Sequence, residues 1–344
     1  MEDKDKIIEL SEFGEFGLIK HLTEKIKLKN TSSEYGVGDD AAVLNYGNRK
    51  TLITTDLLIE GIHFNLIYTP LKHLGYKAVV VNLSDIYAMN GQPKQITVSI
   101  AISKKFSLQA IEELYEGIHL ACENYNIDLI GGDTSSSLTG LAISITAIGE
   151  ANENEITYRN GANENDLICV TGDLGAAYMG LQLLERENKV FLANPNEQPE
   201  LIGYEYILER QLKPEARKDI IEKLKQANIM PTSMIDISDG LSSEIMHICS
   251  QSKKGCKIFQ EKLPIDKETG RMAKELNIEP LIPALNGGED YELLFTIPLN
   301  DHEKIKEIKD ISVIGHICKE EDNVLLITPD GTGIELLAQG WNSI

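Results

Sequence analysis

Aspartate ends several short apolar segments of this chain, and this recurring pattern is the feature best suited to chemistry. The residues occur in the motifs GDD (Asp39 and Asp40), TTD (Asp56), NLSD (Asp85), GGD (Asp133) and DISD (Asp236 and Asp239), and GGEDYELLF adds Glu289 and Asp290. Carboxylates are costly to bury or crowd unless a partner neutralises them. Mg²⁺ is commonly held by a few carboxylates together with substrate phosphates. The pattern therefore predicts a site for Mg²⁺ and a polyphosphate.

Each aspartate taken alone also has an ordinary structural explanation. Asp56 ends the strand predicted over residues 51–56 and could be a helix cap or turn former. Asp133 follows Gly131 and Gly132, which would let a phosphate approach the backbone closely or would form a simple turn. Ser238 or Asp239 could cap the helix predicted from about residue 240. The joint pattern, more than any single member, favours a common site.

Few basic or imidazole groups accompany these motifs. His63 follows Asp56 in EGIHF, and a lone histidine is often structural. Arg159 (YRNGA) and Arg217 (KPEAR) could bind phosphate in bidentate fashion, with surface ion pairing as the alternative. The GxxxxGK[ST] loop of common NTPases is absent, and GVGDDAA lacks the third glycine of a dinucleotide fingerprint. Bound ATP would therefore depend on carboxylate-held Mg²⁺ and backbone amides.

Composition limits the classes of partner. The chain has 344 residues, of which 33 are Lys or Arg and 54 are Asp or Glu, giving a formal charge of −21. Such a charge disfavours binding to nucleic acid and to anionic membranes, and it makes cations necessary if nucleotides bind. The five cysteines contain no CxxC pair and are expected to be reduced thiols. The charged N-terminus and the lack of a long apolar run predict a cytoplasmic protein.

Strand and helix patterns alternate along the chain. Amphipathic helices are predicted within residues 5–29, a helix from Pro70 to about Met89, and a buried strand over 127–132 that ends in a glycine turn. The polar stretch 151–165 reads as a linker. We therefore predict an α/β protein of two domains, residues 1–150 and 151–344.

Longer motifs carry a resemblance. GVGDDAAVL, TTDLLIEGIHF, YKAVVVNLSDIYAMNGQP, LIGGDTS, MIDISDGLSSE and NGGEDYELLFTI occur in this order over nearly the whole chain. Together they resemble the thiamine-monophosphate kinase family, whose superfamily includes aminoimidazole ribonucleotide synthetase and selenophosphate synthetase. The resemblance implies two α/β domains of that type, with the N-terminal domain forming a barrel-like core in a homodimer. It also implies transfer of the γ-phosphate of ATP to thiamine monophosphate with the help of several Mg²⁺ ions, the last step of thiamine diphosphate biosynthesis.

The resemblance also assigns roles to residues of this sequence. Those implied as metal-site residues are Asp39, Thr54, Thr55, Asp56, Asp85, Asp133, Asp236 and Asp239. Those implied as ATP contacts are Tyr115, Gly132, Asp133, Arg159 and Ser238. Those implied as substrate contacts are His63, Glu289 and Trp341. Phosphoryl transfer mainly requires alignment and charge neutralisation, so we expect direct in-line attack with no phosphoenzyme and no catalytic side chain acting as a strong base.

Other functions remain open from the sequence. A selenophosphate synthetase would carry a reactive N-terminal cysteine, whereas the first cysteine here is Cys122. Hydrogenase-maturation relatives carry a C-terminal cysteine, whereas this sequence ends WNSI. Aminoimidazole ribonucleotide synthetase fits the GIHF and GGEDYELLF motifs less well. A non-catalytic nucleotide or metal sensor would keep the carboxylates but not the acceptor pocket, and an acidic structural protein would need neither.

Overall fold

The computed structural model describes residues 28–47, 49–196 and 198–337. The helices predicted within residues 5–29 lie almost entirely outside the described residues. Trp341 also lies outside them. Two β-sheets with packed helices form the described part, which confirms the predicted mixed α/β class.

The first sheet is formed by the N-terminal half. Its six strands are β1 (Ser33–Tyr35), β2 (Ala42–Asn45), β3 (Lys50–Ile59), β4 (Gln92–Ile102), β5 (Asp128–Ser136) and β6 (Ala142–Ala151). They are ordered β1-β2-β3-β6-β4-β5, and only the β4–β5 pair among them is parallel. The sheet is open, so β5 is an edge strand.

Two long helices cover this half of the molecule. Helix α1 (Leu71–Ala88) begins after Pro70, as predicted, and packs on β3, β4 and β6. Helix α2 (Leu108–Tyr125) begins where the Ser107 side chain accepts a hydrogen bond from the backbone N–H of Ala110, and it packs along α1. Almost every residue of α1 is buried, so this helix forms the centre of the molecule.

Two predicted strand ends are wrong. Strand β3 continues past Asp56 to Ile59, because Leu57, Leu58 and Ile59 pair with β6. Strand β5 continues through its glycines to Ser136, and nearly all of it is exposed. Gly132 does not form a turn there: a Cβ at this position would lie 1.8 Å from the carbonyl oxygen of Val98, so the close approach of β4 requires glycine.

The second sheet is formed by the C-terminal half. Its strands are β7 (Leu167–Thr171), β8 (Ser233–Asp236), β9 (Gly255–Phe259), β10 (Leu293–Ile297), β11 (Ile311–Cys318), β12 (Val324–Ile327) and β13 (Gly333–Glu335), ordered β13-β12-β9-β11-β7-β10-β8. Its helices are α3 (Ala176–Ala193), α4 (Glu205–Leu212), α5 (Lys218–Gln226), α6 (Leu241–Ser252), α7 (Lys267–Glu275), α8 (Leu281–Asn286) and α9 (His302–Lys306). The edge strand β8 faces α1 of the other half.

A continuous apolar cluster joins the two halves. It includes Leu83 and Ile86 from α1 together with Ile220, Met234 and Phe295 from the C-terminal half. This packing fixes the ends of α1 and β8 next to each other. All five cysteines are buried free thiols. Among the described helices, none is both long and apolar enough to cross a bilayer.

Candidate functional site

Three carboxylates from distant parts of the chain converge where the two halves meet. Asp40 precedes β2, Asp85 lies near the end of α1, and Asp236 ends β8. One carboxylate oxygen from each lies within 4.8 Å of the others. Such spacing is suited to ligands that share one cation.

Neutral hydroxyl groups hold two of these carboxylates in place. The Thr54 hydroxyl donates to Asp85 Oδ2 at 2.6 Å, and the Ser84 hydroxyl donates to Asp236 Oδ2 at 2.6 Å. The adjacent backbone of β3 is fixed as well, because the Asp56 N–H donates to Asn82 Oδ1 at 3.0 Å. These contacts orient the oxygens without supplying positive charge.

Arg159 supplies positive charge to one side of the cluster. Its Nε and Nη2 donate to the two oxygens of Asp40 at 3.1 and 2.9 Å, a bidentate pair. Its backbone N–H donates to Asp39 Oδ2 at 3.0 Å. Arg217, by contrast, pairs with Glu292 and Asp219 in the C-terminal half. Of the two arginines considered from sequence, only Arg159 contacts the aspartate cluster.

Burial, with repulsion from neighbouring acids, raises the pKa of several carboxylates at this site. Burial, followed by the charges of Asp56 and Asp236, raises the pKa of Asp85 well above its usual range. Burial and the Asp40 charge raise the pKa of Asp236 in the same direction. Burial raises the pKa of Asp39 to about 7, with Asp40 contributing, and that of Asp56 to about 6. When these acids are ionised, the site therefore carries more negative charge than its own hydrogen-bond donors and Arg159 can offset.

A cavity of about 510 Å³ opens beside this cluster. Its walls come from β3, the segment 61–69, α1, α3, α4, the β8–α6 junction and the segment 289–291. The predicted site residues that line it are Asp56, His63, Asp85, Asp236, Ser238, Asp239 and Glu289. The implied metal-site and substrate-contact groups thus share one space.

One face of α1 forms the floor of the cavity. Leu74, Lys77, Val81 and Asp85 line it, and their spacing of three to four residues places them on one side of a helix. The segment YKAVVVNLSD therefore delivers both a buried lysine and a cluster aspartate to the same cavity.

Glu289 is held at the cavity wall by an ion pair. Lys77 Nζ lies 2.9 Å from Glu289 Oε1, and Gln211 Nε2 donates to Glu289 Oε2 at 3.0 Å. Glu289 and Tyr291 have φ of 57° and 51°, a left-handed backbone that costs energy in residues other than glycine. Hydrogen bonds from their N–H groups to the carbonyls of Ser238 and Ile237 hold this conformation. These backbone bonds and the contacts with Lys77 and Gln211 keep Glu289 at the cavity wall.

His63 lies at the cavity with one ring nitrogen already used. Its Nδ1 accepts a hydrogen bond from the Ile59 N–H at 3.0 Å. The neutral ring therefore carries its proton on Nε2.

The DISDG motif does not serve as a helix cap. Helix α6 begins after Gly240 with no side-chain cap, and Glu244 Oε1 accepts from the Asp239 N–H at 2.9 Å. Neither Ser238 nor Asp239 therefore caps the helix, and both residues line the cavity. Asp290 is the structural acid instead, because it accepts the Gly175 N–H at the start of α3.

Asp133 and Thr55 lie on the other face of the first sheet. Asp133 on β5 is aligned across the sheet with Ser99 on β4, Ser144 on β6 and Leu57 on β3. Asp56 belongs to the neighbouring row, which contains the buried Ile145 and Val98. Asp133 is exposed and three strands from β3, about 14 Å at roughly 4.8 Å per strand. Within one chain it does not join the cluster.

The other predicted residues lie apart from the cavity lining. Tyr115 is on α2, with its ring 6.1 Å from that of His119. Gly132 is explained by the approach of β4 alone. Thr54 acts through its hydrogen bond to Asp85, and Trp341 lies outside the described residues.

Comparison with known proteins identifies the family. The profile of "AIR synthase related protein, N-terminal domain" matches residues 38–151. Thiamine-monophosphate kinase of Aquifex aeolicus is 35% identical over 96% of this chain and 98% of its own length. That of Bacillus subtilis is 32% identical over 95% and 98%. The chain belongs to the thiamine-monophosphate kinase family.

Solved structures agree with membership of the thiamine-monophosphate kinase family. The structure of AaThiL complexed with AMPPCP and TMP is 31% identical, has a TM-score of 0.84, and is matched over 99% of this chain and 100% of that one. Thiamine monophosphate kinase from Aquifex aeolicus has a TM-score of 0.76 at 30% identity, over 95% and 100%. Hydrogenase maturation protein HypE in complex with ATP, at 17% identity and a TM-score of 0.69 over 97% and 99%, shares the fold.

Sequence reasoning missed several residues of this thiamine-monophosphate kinase family site. Asp40, rather than its neighbour Asp39, belongs to the tight cluster, and Ser84 and Asn82 orient its surroundings. Lys77 and Gln211 hold Glu289. The sequence signal for these residues was the presence of polar side chains, in the YK and NLSD motifs, within an otherwise apolar helix. Buried polar side chains require partners, so these motifs indicated a polar site next to the helix.

Proposed function

We propose that this protein transfers the γ-phosphate of ATP to thiamine monophosphate, forming thiamine diphosphate and ADP. Its relatives are thiamine-monophosphate kinases, and one of the most similar structures is a complex with AMPPCP and TMP. The observation that carries the proposal is the convergence of Asp40, Asp85 and Asp236 beside a cavity also lined by His63 and Glu289. This arrangement suits a reaction between two anions.

The cluster fits a hard divalent cation. Its oxygens are close enough to share one ion, and Asp40 and Asp236 are buried while Asp85 is partly buried. Arg159 offsets the charge of Asp40 only, and the hydroxyl donors of Asp85 and Asp236 leave their charges uncompensated. We propose that Asp40, Asp85 and Asp236 hold Mg²⁺, with Asp39, Asp56, Asp239 and Thr54 around them. Bound Mg²⁺ supplies the charge that screens two polyanions and stabilises the transferring phosphoryl group.

The chain's own side chains bind and orient the two substrates in this proposal. Ser238 and Arg159 lie where ATP phosphates approach the cluster, and Arg159 exchanges its bond with Asp40 for phosphate oxygens. His63 and Glu289 contact the thiamine moiety. Tyr115, Gly132 and Trp341 remain proposed contacts to ATP and to the substrate, as the resemblance implies.

The proposed chemistry is direct displacement. An oxygen of the acceptor phosphate bonds to the γ-phosphorus while the bond to the β–γ bridging oxygen breaks, and ADP leaves with that electron pair. The acceptor phosphate is largely anionic at neutral pH, so no side chain needs to remove a proton.

Turnover measurements test this function. Purified protein with ATP and Mg²⁺ is expected to form thiamine diphosphate from thiamine monophosphate, and to act far more slowly on free thiamine, on selenide or on aminoimidazole precursors. Product is measured by ion-exchange chromatography and by ADP release. Strict preference for one of the other acceptors would replace the proposal, and the absence of turnover on all of them would favour a sensor. A ³²P-labelled protein trapped in a single turnover would contradict direct transfer.

We also propose a homodimer formed through the open face of the first sheet. Large apolar side chains are exposed along its strands, among them Leu57, Ile59 and Ile130. Within residues 28–337, apart from the undescribed positions 48 and 197, no strand pairs with the outer edge of β5 and these side chains are exposed, and a second copy would bury them. Asp133 and Thr55 lie on the same face, so the contact would bring them to the boundary between subunits.

Sedimentation measures the assembly. We expect twice the chain mass of 38.2 kDa for the natural protein and a shift to monomer for Ile130→Asp. Ile202→Asp is the matched control, because Ile202 is 94% exposed in the other half. A monomer at all concentrations, or equal effects of both substitutions, would contradict the dimer.

The division into domains at residue 150 is likewise a proposal. The first sheet ends at Ala151 and the second begins at Leu167, with an irregular polar segment between them. Limited proteolysis is expected to cut this segment first and to leave two fragments that stay associated through the shared apolar cluster.

A further inference from the structure

A carboxylate on α3 faces the cavity without a cationic partner. The Tyr68 hydroxyl donates to Glu185 Oε1 at 2.5 Å, and both residues line the cavity. Tyr68 belongs to the N-terminal half and Glu185 to the C-terminal half, so the pair fixes the carboxylate across the boundary. The nearby basic residues Lys77 and Arg186 form their ion pairs with other acids, Glu289 and Glu187.

The other glutamate of the cavity is compensated. Glu289 has Lys77 Nζ at 2.9 Å and the Gln211 amide at 3.0 Å on its two oxygens. The neighbouring basic residue on α3, Arg186, points to Glu187, with its Nε 2.8 Å from Oε1. Glu185 is therefore the acid of this wall whose negative charge remains available to a ligand.

Glu185 does not belong to the aspartate cluster. The cluster oxygens come from Asp40, Asp85 and Asp236, whereas Glu185 lines the cavity from α3, where the hydroxyl of Tyr68 holds it. The cavity wall therefore carries a separate carboxylate besides the cluster.

This separate carboxylate suits the charge distribution of the acceptor in the proposed function, on which the inference rests. The phosphate of thiamine monophosphate must reach the cluster, so its rings extend into the rest of the cavity, first the thiazolium ring that carries the phosphate arm and then the pyrimidine. Its thiazolium ring carries a permanent positive charge. We infer that Glu185, oriented by Tyr68, recognises this cationic ring and sets the preference of the site for a charged over a neutral heterocycle.

Paired ligands separate charge recognition from shape. One ligand is thiamine monophosphate, and the other is its analogue with carbon in place of the thiazolium nitrogen, a neutral ring of the same outline. Calorimetry measures the Kd of each. Glu185→Gln is expected to weaken binding of thiamine monophosphate about tenfold and to leave the analogue within about twofold. The KM for ATP is expected to stay unchanged.

Three further variants complete the design. Glu185→Asp keeps the charge and is expected to restore most of the affinity. Tyr68→Phe loses the orienting hydroxyl and is expected to weaken the charged ligand by about threefold. Glu209→Gln is the matched control, because Glu209 is exposed on α4 and does not line the cavity. The melting temperatures of all variants are compared with that of the natural protein.

The outcomes are distinct. Equal weakening of both ligands by Glu185→Gln, or unchanged binding of thiamine monophosphate, would overturn the inference. Loss of folding in Glu185→Gln together with unchanged binding of thiamine monophosphate by Tyr68→Phe would also overturn it, since the pair would then be only a structural tie. Failure of the natural protein to bind or phosphorylate thiamine monophosphate would instead refute the proposed function itself.

Discussion

Asp85→Asn is expected to lower kcat for thiamine diphosphate formation by about a thousandfold or more. Asp85 contributes an oxygen to the three-carboxylate cluster and lies on the cavity face of α1. Asparagine preserves the shape and can still accept the hydrogen bond from Thr54, so the loss measures the missing charge. Steady-state turnover at saturating ATP and Mg²⁺ provides the measurement.

The same substitution is expected to stabilise the metal-free protein. Burial and the charges of Asp56, Asp236 and Asp40 raise the pKa of Asp85, so its ionised form is unfavourable in the folded state. Thermal unfolding in EDTA should therefore show a higher melting temperature for Asp85→Asn. Asp322→Asn, an exposed aspartate in the other half, serves as the control for both experiments. An active variant, or one destabilised in EDTA, would contradict these roles.

The second large effect is a fall in the stability of the metal-free protein as pH rises from about 4 to about 7. Burial raises the pKa of Asp39 to about 7 and that of Asp56 to about 6, whereas the unfolded chain has ordinary values. In this window the folded protein holds more protons than the unfolded chain, so its free energy of unfolding decreases with pH. Each pKa unit corresponds to about 1.4 kcal/mol.

Magnesium is expected to remove most of this decrease, because the cation replaces the protons between the carboxylates. Urea unfolding at about pH 5 and about pH 7.5, in EDTA and in excess Mg²⁺, measures the difference. Asp56→Asn should make the pH dependence shallower, and Asp322→Asn should not. Stability that rises through this window in EDTA, or that is indifferent to Mg²⁺, would disprove the electrostatic description of the site.

The sequence predicted the general character of the site because its acids lie in long, ordered motifs. Helix α1 could be predicted from Pro70 and its apolar run, and its start is confirmed. The geometry around Asp39 and Asp40 could not be predicted, since these residues lie in an irregular turn where side-chain direction follows no period. The structure selects Asp40 for the cluster.

Asp133 illustrates a second limit of periodicity. The strand was expected to end at its glycines, but β5 continues, and a bulge at Ile130 shifts its register against β4. A shift of one residue exchanges the two faces of a strand, so the face occupied by Asp133 depends on this local irregularity. Pairs such as Lys77 with Glu289 or Tyr68 with Glu185 are more than a hundred residues apart and arise only from the packing of the two halves.

Electron paramagnetic resonance of bound Mn²⁺ tests the central claim most directly. In the presence of a non-hydrolysable ATP analogue, the natural protein is expected to bind more than one Mn²⁺ per chain with spin coupling between neighbouring ions. Asp85→Asn should lose the coupled signal, and Asp322→Asn should keep it. Natural protein that binds no Mn²⁺ with the nucleotide, or Asp85→Asn that binds as many ions with the same coupling, would show that these carboxylates do not hold the metal.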